Sequence, residues 1–297
     1  MSTPGTTTRG VLLLSCPDAP GIVHAVSGLL VEEGCTILSS QQFGSLLGGS
    51  VPGDGGTFFM RVEFTRADGA PLDLPALRLR TAALADRFGM TWRLVDPTRP
   101  LRVVVMVSRL LHCLNDLLFR SSVGEPNLDV VAVVSNHPDA GRLADSHGVA
   151  FRHIPVTADT KGRAEAELLD LVDRERVDLV VLARYMQILS DDACKHLEGR
   201  AINIHHSMLP SFKGARPYHQ AHVRGVKFIG ATAHYATADL DEGPIIEQDL
   251  VRVDHSLGPE QLAARGREVE SRALARAVRW HAENRIAVHG NRTVVFP

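Results

Sequence analysis

Residues 178–206 read DLVVLARYMQILSDDACKHLEGRAINIHH, and this stretch decides the fold of the larger part of the chain. It contains an apolar run at Asp178–Ala183, a helical segment at Asp191–Leu197 and a second apolar run at Ala201–Ile204. Short Val/Ile/Leu runs that alternate with helices are typical of a parallel β-sheet covered by helices on both faces. The stretch therefore predicts one strand–helix–strand unit of an α/β domain.

The same alternation continues on both sides of this unit. Further strands are predicted at Arg102–Val107, Leu128–Ser135 and Phe151–Pro155, and helices at Leu111–Ser121, Pro138–His147 and Gly162–Glu175. Two antiparallel strands are predicted at Phe228–His234 and Gly243–Val253. A long helix from Pro259 to about Asn284 and a hairpin at Gly290-Asn291 are predicted to follow them. The sequence thus predicts a Rossmann-like domain with a mostly parallel sheet over residues 101–297.

Residues 9–95 have a different pattern, typical of a small α+β domain. Strands are predicted at Gly10–Ser15, Thr36–Phe43, Thr57–Phe64 and Met90–Leu94, and helices at Ile22–Glu33 and Pro75–Phe88. The order βαββαβ is that of a ferredoxin-like domain. Residues 1–8 are predicted to be mobile, the glycine-rich Gly44–Gly56 to be a loop, and Asp96–Pro100 to be a stiff linker.

Composition excludes several classes of protein. The 297 residues carry a net charge of -2 with interspersed signs, so neither a nucleic acid nor an anionic membrane is an expected partner. No apolar stretch approaches the roughly 20 residues that span a bilayer. The four cysteines form no CxxC pair, which argues against a zinc site or a disulfide framework and favours reduced thiols in the cytoplasm.

Asn203 and His205 are the strongest candidate site residues. Side chains at i and i+2 of a strand point to the same face, and these two lie at the carboxyl end of a predicted parallel strand, where ligands bind in such sheets. Asp241 can join them from a later loop. An amide donor, a titratable ring and a carboxylate can stabilise an oxyanion, carry a proton and orient the ring. By the same alternation, His206 is predicted to leave on the opposite face as a packed residue.

The first turn of the predicted sheet, Ser108–Asp116, contains no glycine. A dinucleotide pyrophosphate needs close approach of a glycine-containing backbone, so no nicotinamide or flavin cofactor is expected. Arg109 and His112 leave two alternatives open: they line a pocket, or they are a surface arginine and a half-buried histidine. Lys161 and Glu165 have the spacing of a surface helix pair.

No metal site is expected, although the chain has 14 histidines, because no HExxH motif or Cys/His cluster occurs. The long helix after Pro259 is rich in arginine, with Glu268 and Glu270 among the positive charges. An apolar stripe through Leu262, Val269 and Ala273 predicts that its charged residues, Glu270 included, form a solvated face.

Three segments resemble the folate-dependent formyl-transferring hydrolases and transferases. Ile202–Gly214 matches that family's Asn-x-His…Leu-Pro-x-x-x-Gly, Leu240–Ile246 contains its Asp-x-Gly-Pro, and Gly230–Tyr235 is also similar. Ser108–Arg120, Leu182–Leu189 and His289–Thr293 are closer to the hydrolase branch. Residues 9–95 resemble the ACT regulatory module, with Pro17–Val23 at the first turn.

The resemblance implies a role for each matching residue. Asn203 donates to the oxyanion, His205 carries the proton, and Asp241 orients His205 and positions or deprotonates the attacking water. Other residues are implied to bind substrate or to support the site: Arg184, Tyr185, Met186, Ile188, Leu189, His234 and Gly214. The Arg216–His219 stretch and His255 are candidates for closing the pocket, and Thr232 for supporting it from an adjacent strand.

The resemblance implies hydrolysis of 10-formyltetrahydrofolate to tetrahydrofolate and formate, without a cofactor, which balances the one-carbon pool and supplies formate for purine synthesis. The alternative is transfer of the formyl group to an amine, since the three residues do not separate the two reactions. In another alternative, the ACT-like domain senses a ligand and the large domain is inactive, which the intact Asn203, His205 and Asp241 argue against. ACT modules imply a homo-oligomer with an amino-acid effector.

Overall fold

The computed structural model describes residues 7–45, 56–210 and 217–297, and the chain divides into two compact units. The first runs up to Arg99 and includes Glu283–His289 and Val294–Pro297. The second consists of Pro100–Ala282 and Gly290–Thr293. The predicted domains, 9–95 and 101–297, have a single boundary at the linker. In the structure, the C-terminal segment 283–297 is also shared between the two units.

The first unit contains a four-stranded antiparallel sheet and two helices. Its elements are β1 (Arg9–Pro17), α1 (Ile22–Glu32), β2 (Cys35–Ser45), β3 (Thr57–Arg66), α2 (Leu74–Phe88) and β4 (Thr91–Val95). The strand order β2-β3-β1-β4 confirms the predicted ferredoxin-like βαββαβ arrangement. Gly44 belongs to β2 and not to a loop; most of the predicted loop, residues 46–55, and the first six residues lie outside the described part of the chain.

Strand β1 is buried on both faces, because two sets of side chains cover the sheet. Leu12 and Leu14 pack with α1 and α2 residues in the main core of this unit. On the other face, Leu13 and Phe59 pack against Ala287 and Phe296. The C-terminal residues therefore belong to this unit for a physical reason: they bury the second apolar face of its sheet.

The second unit is the predicted α/β domain. Its strands are β5 (Leu101–Val107), β6 (Leu128–Ser135), β7 (Phe151–His153), β8 (Leu179–Leu182), β9 (Ala201–His205), β10 (Phe228–Tyr235) and β11 (Ile245–Arg252). Its helices are α3 (His112–Ser122), α4 (Gly141–Ser146), α5 (Lys161–Arg174), α6 (Asp191–His196), α7 (Pro217–Arg224) and α8 (Pro259–Ala282). The final hairpin is formed by β12 (Ile286–His289), which belongs to the first unit, and β13 (Arg292–Val295), as predicted.

The seven-stranded sheet has the order β11-β10-β9-β8-β5-β6-β7. Strands β5 to β9 pair in parallel, and β10 and β11 are antiparallel to their neighbours, which confirms the predicted mostly parallel sheet. Two details differ from the sequence prediction. Pro138–His147 is a short 3-10 helix at Pro138–Ala140 followed by α4, and α7 was not predicted as a helix.

This topology brings several loops to one edge of the sheet. Strands β5, β8 and β9 are parallel neighbours, so the segments that follow Val107, Leu182 and His205 all leave at the carboxyl edge. Helix α8 packs against β9, β10 and α3 and forms one wall of this region. None of the helices in the described residues is long and apolar enough to cross a membrane.

Candidate active site

Asn203 and His205 occupy alternate positions of β9, and β10 lies beside them. The antiparallel register pairs Asn203 with His234 and His205 with Thr232. The Asn203 amide nitrogen lies 3.2 Å from His234 Nε2, and His234 Nδ1 lies 2.9 Å from the Tyr235 carbonyl oxygen. Nδ1–H therefore donates to the carbonyl, and Nε2 faces the Asn203 amide. His234 and Thr232 thus adjoin the predicted residues from the neighbouring strand.

Asp241 reaches this group from the loop after β10. Its Oδ2 lies 3.2 Å from His205 Nδ1, and its Oδ1 lies 3.7 Å from His234 Nε2. The hydrogen bond with His205, followed by the interaction with His234, holds the pKa of the Asp241 carboxyl well below its usual range, although burial opposes this. Asp241 is therefore a carboxylate at neutral pH, and the structure brings the three predicted residues together.

The loop that carries Asp241 requires unusual backbone geometry. Asp241 itself has φ 59°, in the left-handed region that few residues other than glycine adopt. Two residues later, a Cβ added to Gly243 would lie 1.8 Å from the Tyr235 carbonyl oxygen. Only glycine fits there, so the Asp-x-Gly-Pro spacing allows the loop to pack directly on the end of β10.

His205 is 6% exposed, and its two ring nitrogens differ. Nδ1 faces the Asp241 carboxylate. Nε2 is buried and has no hydrogen-bond partner within residues 7–45, 56–210 and 217–297. A ring that donates Nδ1–H to a carboxylate presents the Nε2 lone pair, which can take a proton from a neighbouring group and return it.

His206 does not leave on the opposite face, and that prediction was wrong. Its ring lies against the ring of His205, with centroids 4.9 Å apart and an interplanar angle of 30°. Strand β9 ends at His205, so the alternation of side chains does not extend to the next residue. Burial, together with the charges of Arg184 and His205, lowers the pKa of His206 to about 4, against the opposing effect of Glu270 and Asp241.

The loop after β8 contains most of the residues implied to bind substrate. Tyr185, Ile188 and Leu189 line an apolar pocket with Met106 and Leu168. Burial, and then the charge of Glu165, raises the pKa of Tyr185 to about 12, so its hydroxyl is neutral.

The remaining residues of that set lie elsewhere. Met186 is 58% exposed, and the buried Arg184 side chain is directed towards α8. Gly214 and the rest of the segment 211–216 lie outside the described residues.

Two polar side chains brace this loop. The Ser108 hydroxyl accepts a hydrogen bond from the Met186 amide at 3.0 Å and donates one to Asn136 Oδ1 at 2.7 Å. Glu165 Oε1 accepts from the Ser190 amide at 2.8 Å and lies 4.0 Å from Lys161 Nζ. Glu165 is therefore more than the partner of a surface pair, because it also fixes the end of the loop.

Glu270 is the functional candidate that the sequence analysis placed wrongly. It is 1% exposed and not part of a solvated face. Its Oε2 accepts a hydrogen bond from His112 Nε2 at 2.8 Å and lies 3.4 Å from Arg184 Nε, and its Oε1 accepts one from the Tyr218 hydroxyl at 2.6 Å. We call these four residues the Glu270 cluster. Helical spacing indicated the burial of Glu270, because residues three and four apart lie on the same face of a helix. Glu270 follows the buried Gly266 by four residues and precedes the buried Ala273 by three.

The chemistry of the Glu270 cluster favours an anchor over a metal site. Among the described residues, His112, Cys113 and Glu270 have ligand atoms within 4.8 Å of one another. Burial raises the pKa of the Cys113 thiol, which keeps it protonated, and the Arg184 guanidinium already neutralises the carboxylate. His112 is thus a half-buried member of this cluster and Arg109 is exposed, which is the second of the two alternatives left open.

Comparison with known proteins identifies the family. The formyl transferase family model matches residues 101–278, and the ACT domain model matches residues 10–78. The formyltetrahydrofolate deformylase of Corynebacterium sp. (strain P-1) is 52% identical over 97% of this chain and 98% of its own length. The chain belongs to the formyltetrahydrofolate deformylase family.

Solved structures of this family and of a related one agree with the assignment. The crystal structure of formyltetrahydrofolate deformylase from Burkholderia mallei ATCC 23344 has a TM-score of 0.91 at 52% identity and covers 98% of this chain and 100% of its own. Glycinamide ribonucleotide transformylase 1 from Symbiobacterium toebii has a TM-score of 0.63 at 32% identity but covers only 67% of this chain, and 95% of its own. Members of the formyltetrahydrofolate deformylase family thus match both units, and the transformylase matches a part.

Proposed function

We propose that this chain hydrolyses 10-formyltetrahydrofolate to tetrahydrofolate and formate. The observation that carries the proposal is the arrangement of His205, which is bound at Nδ1 by Asp241 and whose buried Nε2 has no hydrogen-bond partner in the described part of the chain. Family membership over both units supports the same reaction. The alternative reaction, transfer of the formyl group to an amine, is not favoured. The relative that matches nearly the whole chain is a deformylase, whereas the transformylase matches only 67% of it.

The reaction requires a nucleophile, an oxyanion donor and a proton carrier. Water attacks the formyl carbon while its proton passes to His205 Nε2, and the carbonyl oxygen becomes an oxyanion. Asn203 has one amide N–H directed at His234 and a second that can donate to that oxyanion. When the tetrahedral intermediate breaks down, the carbon–N10 bond is cleaved, and N10 takes the proton from His205 to give tetrahydrofolate and formate.

Asp241 supports this cycle by its charge. A carboxylate at His205 Nδ1 favours the imidazolium that forms when Nε2 takes up the proton, and it holds the ring in the required tautomer. Its Oδ1 faces His234, so Asp241 spans the two histidines. The same carboxylate can also position or deprotonate the attacking water, as the family resemblance implies.

Substrate binding is assigned to the pocket at the carboxyl edge. The pterin ring would lie against Tyr185, Ile188 and Leu189, whose neutral and apolar side chains suit a flat heterocycle, while backbone groups of Arg184 and Met186 supply hydrogen bonds. His234 and Gly214 complete the proposed set. The folate is the substrate, and no additional cofactor or metal is required by chemistry that depends on an amide, a ring and a carboxylate.

The cellular role is proposed from the same reaction. Release of formate and tetrahydrofolate would balance the one-carbon pool and supply formate for purine synthesis. We place the protein in the cytoplasm, because its four cysteines are buried free thiols and free thiols are typical of a reducing compartment.

The ACT domain supports a regulatory proposal, namely a homo-oligomer that binds an amino acid. ACT-like sheets have unpaired edges, and in this unit β2 is an edge strand with Ile37, Leu38 and Phe43 substantially exposed. Light scattering of the full chain tests the oligomer, and a monomer at micromolar concentration would contradict it.

The decisive test is turnover of 10-formyltetrahydrofolate in the absence of any amine, with tetrahydrofolate and formate both measured. Stoichiometric formate that is lost in His205→Ala and insensitive to a chelator would support hydrolysis at this site. Tetrahydrofolate that appears only when an amine acceptor is added would contradict the proposal and favour a transferase.

A further inference from the structure

The stacked ring of His206 has no part in the reaction described above, although it contacts the proton carrier. The two rings lie 4.9 Å apart at 30°, which is within the range of favourable aromatic stacking. Asp241 binds His205 at a single nitrogen, so that contact alone leaves the ring able to tilt about the Nδ1–Oδ2 line. A flat ring against one face of His205 opposes such a tilt.

His206 also contacts a second aromatic ring. The Tyr218 ring lies 6.3 Å from the His206 ring, and the Tyr218 hydroxyl donates to Glu270. This approach depends on Gly266, because a Cβ at that position would lie 1.9 Å from the Tyr218 hydroxyl oxygen. The contacts therefore run from α8 through Tyr218 to His206 and then to His205.

The electrostatic surroundings keep His206 without charge at neutral pH. Burial, the positive charge of Arg184 and the neighbouring His205 ring lower its pKa, while Glu270 and Asp241 act in the opposite direction. An uncharged stacked ring is what a proton carrier needs, because a second imidazolium in contact would oppose protonation of His205. Arg184, whose charge lowers the pKa of His206, is itself paired with Glu270, with Nε 3.4 Å from Oε2.

We propose that His206 is a positioning residue, which holds the His205 ring by stacking, and that Glu270 anchors His206 through Tyr218. The inference rests on the proposed hydrolysis and assigns a task in it to the second histidine of the Asn203–His206 segment. The inference also gives Glu270, the buried carboxylate of α8, a role in the reaction. Among the described residues, Glu270 is not within hydrogen-bond distance of Asn203, His205 or Asp241.

Two substitutions distinguish the effect of a flat ring at position 206 from the effect of the imidazole nitrogens. His206→Phe keeps a flat ring without nitrogens, and His206→Leu keeps apolar bulk without a ring. Because a small misplacement of a catalytic group can cost up to about a hundredfold in rate, we expect kcat to fall about tenfold or more in His206→Leu with little change in KM. We expect His206→Phe to restore kcat to within about threefold of the unchanged chain, since stacking is retained.

The controls separate this inference from the proposed function. Formate release by the unchanged chain is measured first, and its absence would overturn the proposed hydrolysis itself. His222→Leu, at an exposed histidine of α7, should leave turnover unchanged. If the unchanged chain releases formate and His206→Leu matches it, or if His206→Phe is as slow as His206→Leu, stacking has no positioning role.

A double-mutant cycle tests the anchor. Tyr218→Phe removes only the hydroxyl that binds Glu270, and we expect it to lower kcat several-fold. In the His206→Leu background the same change should have almost no further effect, because both act through the position of His205. Independent, multiplicative losses in kcat would overturn the anchoring role of Glu270.

Discussion

Asp241 and Glu270 are two carboxylates of the same unit that both bind a histidine, yet their surroundings differ in kind. Among the described residues, the ionic partners of Asp241 are two histidines, His205 and His234, and an imidazole can gain and lose a proton. Glu270 faces Arg184, whose charge is permanent, as well as the hydroxyl of Tyr218 and the ring of His112. A titratable partner makes a site that can move a proton, and a permanent counter-charge makes an anchor.

Exposure follows the same division. The Asp241 side chain is 15% exposed, and the Glu270 side chain is 2% exposed. Burial alone would raise the pKa of Glu270, but the hydrogen bond from His112, the charge of Arg184 and the hydrogen bond from Tyr218 outweigh it and lower the pKa. Glu270 thus stays ionised although it is almost inaccessible, and removal of its charge should affect stability before it affects chemistry.

The largest expected effect is on turnover at Asp241. Asp241→Asn keeps the size of the side chain but removes the charge that favours protonated His205, so we expect kcat to fall about 10²–10⁴-fold with the fold and folate binding retained. Formate release and folate binding by fluorescence are the measurements. Near-normal turnover in this variant would remove Asp241 from the mechanism and erase the contrast with Glu270.

The next effect is on stability at Glu270. Glu270→Gln leaves the buried Arg184 guanidinium without its counter-charge, and loss of one partner of a buried pair costs about 3 kcal/mol of the free energy of unfolding. Glu268→Gln is the matched control, because that residue lies on the same helix with a side chain that is 61% exposed. Equal urea midpoints for the two variants would contradict the anchoring role.

Two glycines allow a finer comparison of the regions. Gly243→Ala meets the fixed backbone oxygen of Tyr235, so we expect it to cost about 1–3 kcal/mol of stability and to displace Asp241, with loss of turnover. Gly266→Ala meets the side chain of Tyr218 and no backbone atom; Tyr218 can move, but only by giving up its hydrogen bond to Glu270, and the change gains about 1 kcal/mol of helix propensity. Thermal unfolding should therefore show a much smaller change for Gly266→Ala, and the reverse order would contradict this account.

The smallest expected effect is a pH dependence that originates at His206. The folded-state pKa of about 4 lies below the unfolded value of about 6.5, so the unfolded chain binds this proton first as the pH falls. The contribution of neutral His206 to stability is therefore complete above pH 6.5 and is lost towards pH 4. Relative to His206→Phe, the unchanged chain should lose stability across this window, and parallel curves in urea unfolding would contradict it.

Much of the fold was predictable because it depends on local patterns. The apolar runs at Arg102–Val107 and Leu128–Ser135 became β5 and β6, and the carboxyl edge of the sheet was placed correctly. The pairing of Asn203 with His205 on one face followed from the period of a strand alone. Helix α7 was missed because Pro217–Arg224 is short and its only marked signal is the proline at its start.

The candidate site was predictable where it depended on alternation and motif spacing, and not elsewhere. His206 was misplaced because the strand ends one residue earlier, which no periodicity indicates. Glu270 was misplaced because charge was taken as a sign of solvent exposure, whereas its position between Gly266 and Ala273 on α8 indicated the buried face.

By itself, the sequence determined the two kinds of domain, the strand that carries Asn203 and His205, and the family to which the chain belongs. Only the tertiary structure decided that Arg184, His112 and Tyr218, which come from three separate segments, meet at one buried carboxylate. The physical reason is that strand and helix periods act over a few residues, whereas the free energy of burying a charge depends on partners that are distant in the chain. The same dependence decided that His206 lies against His205.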